Sequence, residues 1–190
     1  MKVIFLDIDG VLNYYGSQII DATCLSNLKN IVENTNAKII LISTWIQFFD
    51  EEIFSELSEK DKESLLYHRK LLTDSFEIFD IVEDYFADKD VNVVSEVSLG
   101  DLVNMDTDDH DAWRSIEIAR WLNKNKDVES FVILDDFNCQ YHKYYPKNWI
   151  QTWYFGKGLR KEDAEKAIEI LNAGLVLCCI YFVKLNIKEF

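Results

Sequence analysis

Short apolar runs, each closed by polar side chains, set the rhythm of the chain. Val3 to Leu6 leads directly into Asp7-Ile8-Asp9-Gly10-Val11-Leu12-Asn13. Lys38 to Ile42 ends in Ser43-Thr44-Trp45, Phe131 to Leu134 ends in Asp135-Asp136, and Asn148 to Thr152 forms a further run. Such runs of β-branched, aliphatic and aromatic residues read as strands. Unbroken apolarity, rather than alternation, predicts cover on both faces, as in a parallel sheet flanked by helices. Asp21 is a predicted N-cap, followed by Leu25, Leu28, Ile31 and Val32 at helical spacing up to Asn34. Ala112 to Lys124 predicts an amphipathic helix, with Trp113, Ile116, Trp121 and Leu122 on or near one face. Gly156 to Leu159 turns into another helix bearing Ala164, Ala167, Ile168 and Leu171. Strand, helix, strand is the crossover that makes a parallel pair, so the class is α/β.

The middle is less regular. From Asp50 to Lys89, Ile53, Phe54, Leu57, Leu65, Leu66, Leu71, Leu72, Phe76, Phe79 and Val82 are interleaved with charges. They predict two or three helices, a helical insertion around 50–90. Val91 to Val97 alternates imperfectly and is predicted as a third, edge strand.

Length and composition narrow this picture. A chain of 190 residues that is 48% apolar, with one proline and six glycines, has one core and no linker. The expected division is a domain over 1–172 and an apolar extension over 173–190, with Leu175 to Val183 β-rich. That extension reads as an added strand, a continued helix or the edge of a longer protein. It would contact another domain, a partner or a membrane surface. No run reaches the roughly 18–20 apolar residues of a transmembrane span. The four cysteines form no C-x-x-C pair and no signal peptide is evident. A reducing, cytoplasmic setting is the expectation.

The formal net charge of -14 changes the picture most. It argues against a broad nucleic-acid footprint, which needs clustered Lys and Arg. An anionic substrate must then be drawn in by a local device, a cation or one placed Arg.

The candidate chemistry sits where the predicted strands run out, the edge at which open α/β sheets bind ligands. Asp7 and Asp9 are two apart, so a pure strand points both the same way. Their repulsion is unfavourable unless a divalent cation uses it. The plainer alternative is two acids capping a strand before a loop. Gly10 lets the chain turn away with an unusual φ. Ser43 and Thr44 reach the same rim, where a hydroxyl also suits a helix cap. Arg114, in a first helical turn, opposes the helix dipole, and a phosphate contact would explain its position. A surface Arg is the alternative. Asp106, Asp108, Asp109, His110 and Asp111 cluster in a loop without defined ligand spacing, which favours a solvated loop over a metal site.

The motif Asp7-Ile8-Asp9-Gly10-Val11-Leu12-Asn13 resembles the first motif of the haloacid dehalogenase (HAD) superfamily of aspartate-based phosphotransferases. Ser43-Thr44 matches the second motif, and Asp135-Asp136 the fourth in its paired-Asp form. Arg114 to Leu122 is similar to the third-motif region of a small HAD group, which includes domains of "Swiss army knife" RNA repair proteins. The superfamily usually has Lys there; Arg keeps the charge and adds bidentate geometry. The stretch from Gln151-Thr152 through Leu171 is similar to the end of the same group. The resemblance spans about residues 1–172, with a poorly matched middle at 50–110.

What the resemblance implies is specific. The fold would be a three-layer, Rossmann-like, doubly wound sheet of about five strands, capless or minimally capped. Asp7 would be the nucleophile and Asp9 the general acid and base. Ser43, with Thr44 second, would hold the phosphoryl group with Arg114 and Gly10. Mg2+ would be bound by Asp7, Asp135 and Asp136, with the backbone carbonyl of Asp9. Capless members tend to act on macromolecules. A phosphoprotein suits an acidic enzyme, and Tyr14, Tyr15, Trp45, Phe48 and Phe49 would flank an aryl phosphate such as phosphotyrosine. A nucleic-acid terminal phosphate is the alternative, favoured by the repair resemblance and opposed by charge. A catalytically inactive binding module is the third reading.

Overall fold

β1 (Lys2–Leu6) is the centre of the fold, and its two faces feed two different cores. Val3 and Phe5 belong to one buried cluster, Ile4 and Leu6 to the other. Period-two alternation on a strand with no polar face is what a sheet covered on both sides requires. The structure is a computed structural model and describes residues 1–15, 20–43, 59–82, 112–153 and 155–173.

The remaining elements follow in order. α1 (Ala22–Thr35) leads to β2 (Lys38–Leu41), then α2 (Glu59–Ser75) and β3 (Ile78–Ile81). α3 (Trp113–Lys124), β4 (Ser130–Asp135), the short α4 (Tyr141–Tyr144), β5 (Trp149–Gln151) and α5 (Lys161–Ala173) complete them. The five strands pair in parallel in the order β3-β2-β1-β4-β5. The chain therefore winds outward from β1 through β2 to β3, then crosses back to lay β4 and β5 on the other side. The order reverses between β1 and β4, and that reversal opens a crevice at the carboxyl ends of the two strands.

Helices cover both faces. On one, Leu28 and Ile31 of α1 meet Ala164, Ala167 and Leu171 of α5 and Leu72 of α2. On the other, Ile118 and Trp121 of α3 join Tyr141 and Tyr145 around Phe5 and Phe131. The Phe5 ring meets Trp121 edge-on at 5.4 Å and Phe131 at 5.8 Å. α1 starts where the sequence predicts: Asp21 accepts from the N–H groups of Thr23 (2.8 Å) and Cys24 (3.0 Å), the capping that unpaired first-turn donors need.

The charged middle departs from its predicted form. Residues 59–82 are the next crossover of the sheet, one helix and then an edge strand. Phe79 and Val82, expected in helix, lie in β3 and just past it. Four residues interrupted by Asp80 carry no strand signature. The structure explains the interruption, because Asp80 accepts the indole N–H of Trp121 at 2.6 Å. The strand expected at Val91 to Val97, the acidic loop from Gly100 to Asp111 and the extension beyond Ala173 lie outside the described residues. Among those described, α1 is the helix between β1 and β2, and no helix is long and apolar enough to cross a membrane.

Candidate active site at the sheet reversal

Asp7 follows β1 and Asp135 ends β4, so the reversal itself sets them side by side. The Asp7 N–H still donates to Leu134 O at 2.9 Å, which extends the ladder to the edge of the crevice. Asp7, Asp135 and Asp136 each offer a carboxylate oxygen within 4.8 Å of the others. Asp7 and Asp135 are buried and Asp136 is half-buried. Burial, then repulsion from Asp135, raises the Asp7 pKa to about 7. Burial and the Asp7 charge raise Asp136 to about 6. Burial also raises Asp135, against the pull of Arg114. Three hard oxygen donors that resist joint ionisation are the donor set a divalent cation such as Mg2+ satisfies.

Arg114, in the first turn of α3, enters this cluster. Its Nη1 lies 2.8 Å from Asp135 Oδ2 and 3.6 Å from Asp7 Oδ2. Burial alone would lower its pKa, but the two carboxylates outweigh that and keep the guanidinium charged. The Trp113 ring lies 4.7 Å from its Cζ. α3 has no side-chain N-cap and no acid in its first turn. The cation that opposes the dipole there is offset by the two carboxylates. Arg114 Nε is buried with no hydrogen-bond partner.

Asp135 is held from several sides. Oδ2 accepts from Arg114 and from Tyr141 Oη at 3.0 Å, and Oδ1 accepts from the Phe137 N–H at 2.9 Å. Tyr141 was invisible to sequence reasoning. It lies six residues past Asp135 on an element with no motif, and only the turn into α4 brings it back.

Asp9 is not one of the three acids grouped within 4.8 Å, and its charge adds to the rise of the Asp136 pKa. Its Oδ1 accepts from Asn13 Nδ2 at 2.8 Å, and Asn13 Oδ1 accepts the Gly10 N–H at 2.9 Å. Asn13 thus locks the loop after β1 into one shape. Gly10 has a φ of +72°, and a Cβ there would lie 2.6 Å from Asp136 Oδ2, so the turn needs a glycine. Ser43, buried just past β2, hydrogen-bonds the Asp7 carboxylate. Thr44, Trp45, Phe48 and Phe49 lie outside the described residues; Tyr14 is half-buried and Tyr15 exposed.

A doubly wound parallel sheet with an aspartate cluster at its reversal defines an α/β domain of the HAD-like class. Within that class the chain belongs to the family described as the HAD domain in Swiss Army Knife RNA repair proteins, whose model matches residues 3–164. No curated protein and no solved structure matches the chain significantly.

Proposed function

We propose that the chain is a Mg2+-dependent phosphomonoesterase that forms an aspartyl-phosphate on Asp7 and acts on the terminal phosphate of a nucleic-acid strand. The observation that carries this reading is the convergence of Asp7, Asp135 and Asp136 within 4.8 Å, with Arg114 between the first two. Membership in the RNA-repair family favours the nucleic-acid end over other phosphates.

In the first step an Asp7 oxygen attacks phosphorus and the bond to the leaving oxygen breaks. Asp9 gives its proton to that oxygen. In the second, Asp9 takes a proton from water, the water oxygen attacks phosphorus, and Asp7 leaves as a free carboxylate with inorganic phosphate released. The Asn13 bond supports the assignment of Asp9, because it orients that carboxyl beside the loop after β1. Asp7, Asp135 and Asp136, with the Asp9 carbonyl, would hold Mg2+, which supplies Lewis-acid polarisation of the phosphoryl group. Ser43 aligns Asp7. Arg114 holds Asp7 and Asp135 together, and Ser43 and Arg114 contribute donors to the phosphoryl oxygens.

A phosphoprotein is the second reading, favoured by the net charge of -14. An inactive binding module fits less well. Crowded acids that resist ionisation are costly to keep without a bound cation.

The test is hydrolysis of a small aryl phosphate and of terminally phosphorylated RNA, with Mg2+ or EDTA, by wild type and Asp7→Asn. The expected result is Mg2+-dependent turnover that falls at least about a thousandfold in the variant. Equal rates for the two proteins would remove the aspartyl-phosphate mechanism.

A further inference from the structure

The loops that follow β1, β4 and β5 at the carboxyl edge carry exposed aromatics. Tyr15, Phe137, Trp153 and Phe155 are 66%, 58%, 68% and 67% exposed. Single exposed aromatics are ordinary, whereas a group on one edge is a surface. Each of the four is tied to the chain that builds the site. Phe137 follows Asp136 and gives its N–H to Asp135. Trp153 follows Thr152, whose N–H reaches Asp135 O at 3.2 Å. Tyr15 comes two residues after Asn13, and its ring centroid lies 5.3 Å from that of Phe155. Trp153 is also placed, not dangling. Its carbonyl accepts the Gly156 N–H at 2.9 Å, and a Cβ on Gly156 would lie 2.9 Å from Trp153 Cε3. The ring therefore folds over the turn and keeps its outer face in solvent.

The stretch that carries three of these rings is free of acids, in a protein of net charge -14. Residues 137–161 contain no Asp or Glu, and the loop after β5 and the start of the next helix carry Lys157, Arg160 and Lys161. Arg160 is paired with Asp163, and Lys161 lies 3.7 Å from Glu165. Lys157 stays exposed on the rim. Its carbonyl accepts from Cys24 Sγ, and the next residue, Gly158, packs against Val11 O and Asn13 O. That fixes Lys157 beside the loop after β1.

We propose that this rim is a stacking platform for the unpaired nucleotides next to the terminal phosphate of a single-stranded nucleic acid. The proposal rests on the phosphomonoesterase reading and names the substrate class of that site. Every base presents a π-face, so aromatic stacking binds strands without reading sequence. The acid-free run lowers local repulsion of the backbone, while the acidic remainder opposes wrapping by a duplex. Rings spread over three loops suit several bases better than the one ring of a phosphotyrosine.

The experiment measures fluorescence anisotropy of a short labelled RNA, phosphorylated at its 5′ end in one series and its 3′ end in another. EDTA is present, and a blunt duplex with the same phosphate is the comparison. Wild type is expected to favour the single strand. Trp153→Ala and Phe155→Ala are each expected to weaken binding by about fivefold or more. Lys157→Glu is expected to weaken binding and flatten its salt dependence. With Mg2+, each aromatic variant is expected to lose more turnover on RNA than on a small aryl phosphate, with thermal unfolding verifying the fold. No binding at low salt, equal affinity for duplex, equal losses on the two substrates, or a selective loss on a phosphotyrosine peptide would each overturn the proposal. Wild type that binds RNA through these rings yet hydrolyses no aryl phosphate or RNA phosphate would instead overturn the catalytic reading and leave the platform standing.

Discussion

Arg114 decides how three acids share one small space. Its Nη1 is the cation that Asp135 and Asp7 share, and its side chain is 8% exposed. Removing it leaves two buried carboxylates without their counter-charge. Breaking a buried pair from one side typically costs about 3–5 kcal/mol. Arg114→Met is therefore expected to lower unfolding free energy by about that amount in urea titration at neutral pH. Arg114→Lys, which keeps the charge but not the planar fork, is expected to lose less. Equal stability of Arg114→Met and wild type would mean that the carboxylates are already protonated and need no partner. The Tyr141 hydroxyl on Asp135 and the Asn13 amide on Asp9 act at the same scale. Each fixes one carboxyl.

At the scale of elements, strand ends deliver the chemistry and helix starts hold it in place. β1, β2 and β4 each run out at or just before a candidate residue: Asp7, Ser43 and Asp135. The start of α1 is tethered to the loop between them, because Asp21 N–H donates to Leu12 O at 2.7 Å while its side chain caps the helix. Asp21→Ala is expected to cost about 1 kcal/mol through the lost cap. That should lower the melting temperature by roughly 2–4 °C. Mg2+ affinity, measured by calorimetry, should barely change, since the Leu12 contact comes from the backbone. A large loss of Mg2+ affinity would show that the cap also holds the loop in shape. β3 illustrates a weaker link between sequence and element. Its Asp80 is stabilised by Trp121, more than forty positions ahead.

For the whole molecule, the crowded carboxylates are expected to make stability depend on pH and, through the proposed Mg2+ site, on metal. Asp7 is raised from 3.8 to about 7 and Asp136 from 3.8 to about 6 in the folded state. The folded protein thus keeps protons that the unfolded chain has lost. The stability these two groups contribute is fully present below about pH 4 and is lost as pH rises to about 7. Metal-free protein in EDTA is expected to melt at progressively lower temperature over that window. Mg2+ competes with the protons, so its stabilising effect should be small near pH 5 and largest at pH 7.5 and above. At one hundred times Kd it would amount to about 2.7 kcal/mol, or roughly 5–10 °C. Asp7→Asn should flatten the pH dependence of the difference between the EDTA and Mg2+ curves. A difference that does not vary with pH would argue that Mg2+ does not bind at these acids.

Local pattern was enough to place β1, β2, β4, β5 and the helices α1, α3 and α5, because each is a run of apolar residues with a clear period and clear ends. It also marked Asp7, Asp135 and Asp136 as acids where buried strands run out, and the resemblance to the HAD motifs singled them out from ordinary capping acids. The pattern did not reveal β3, which is short, lies at the edge and carries a polar residue satisfied from another element. Nor did it reveal the Tyr141 hydroxyl on Asp135, the Arg114 ion pairs with Asp7 and Asp135, or the close approach of Gly10 to Asp136. Those depend on which chain segments the sheet reversal brings within hydrogen-bond reach. Periodicity reports the environment of one element at a time. The charge sharing between Arg114, Asp7 and Asp135, and the gathering of exposed aromatics from three strand-end loops at one edge, exist only once strands far apart in sequence lie side by side.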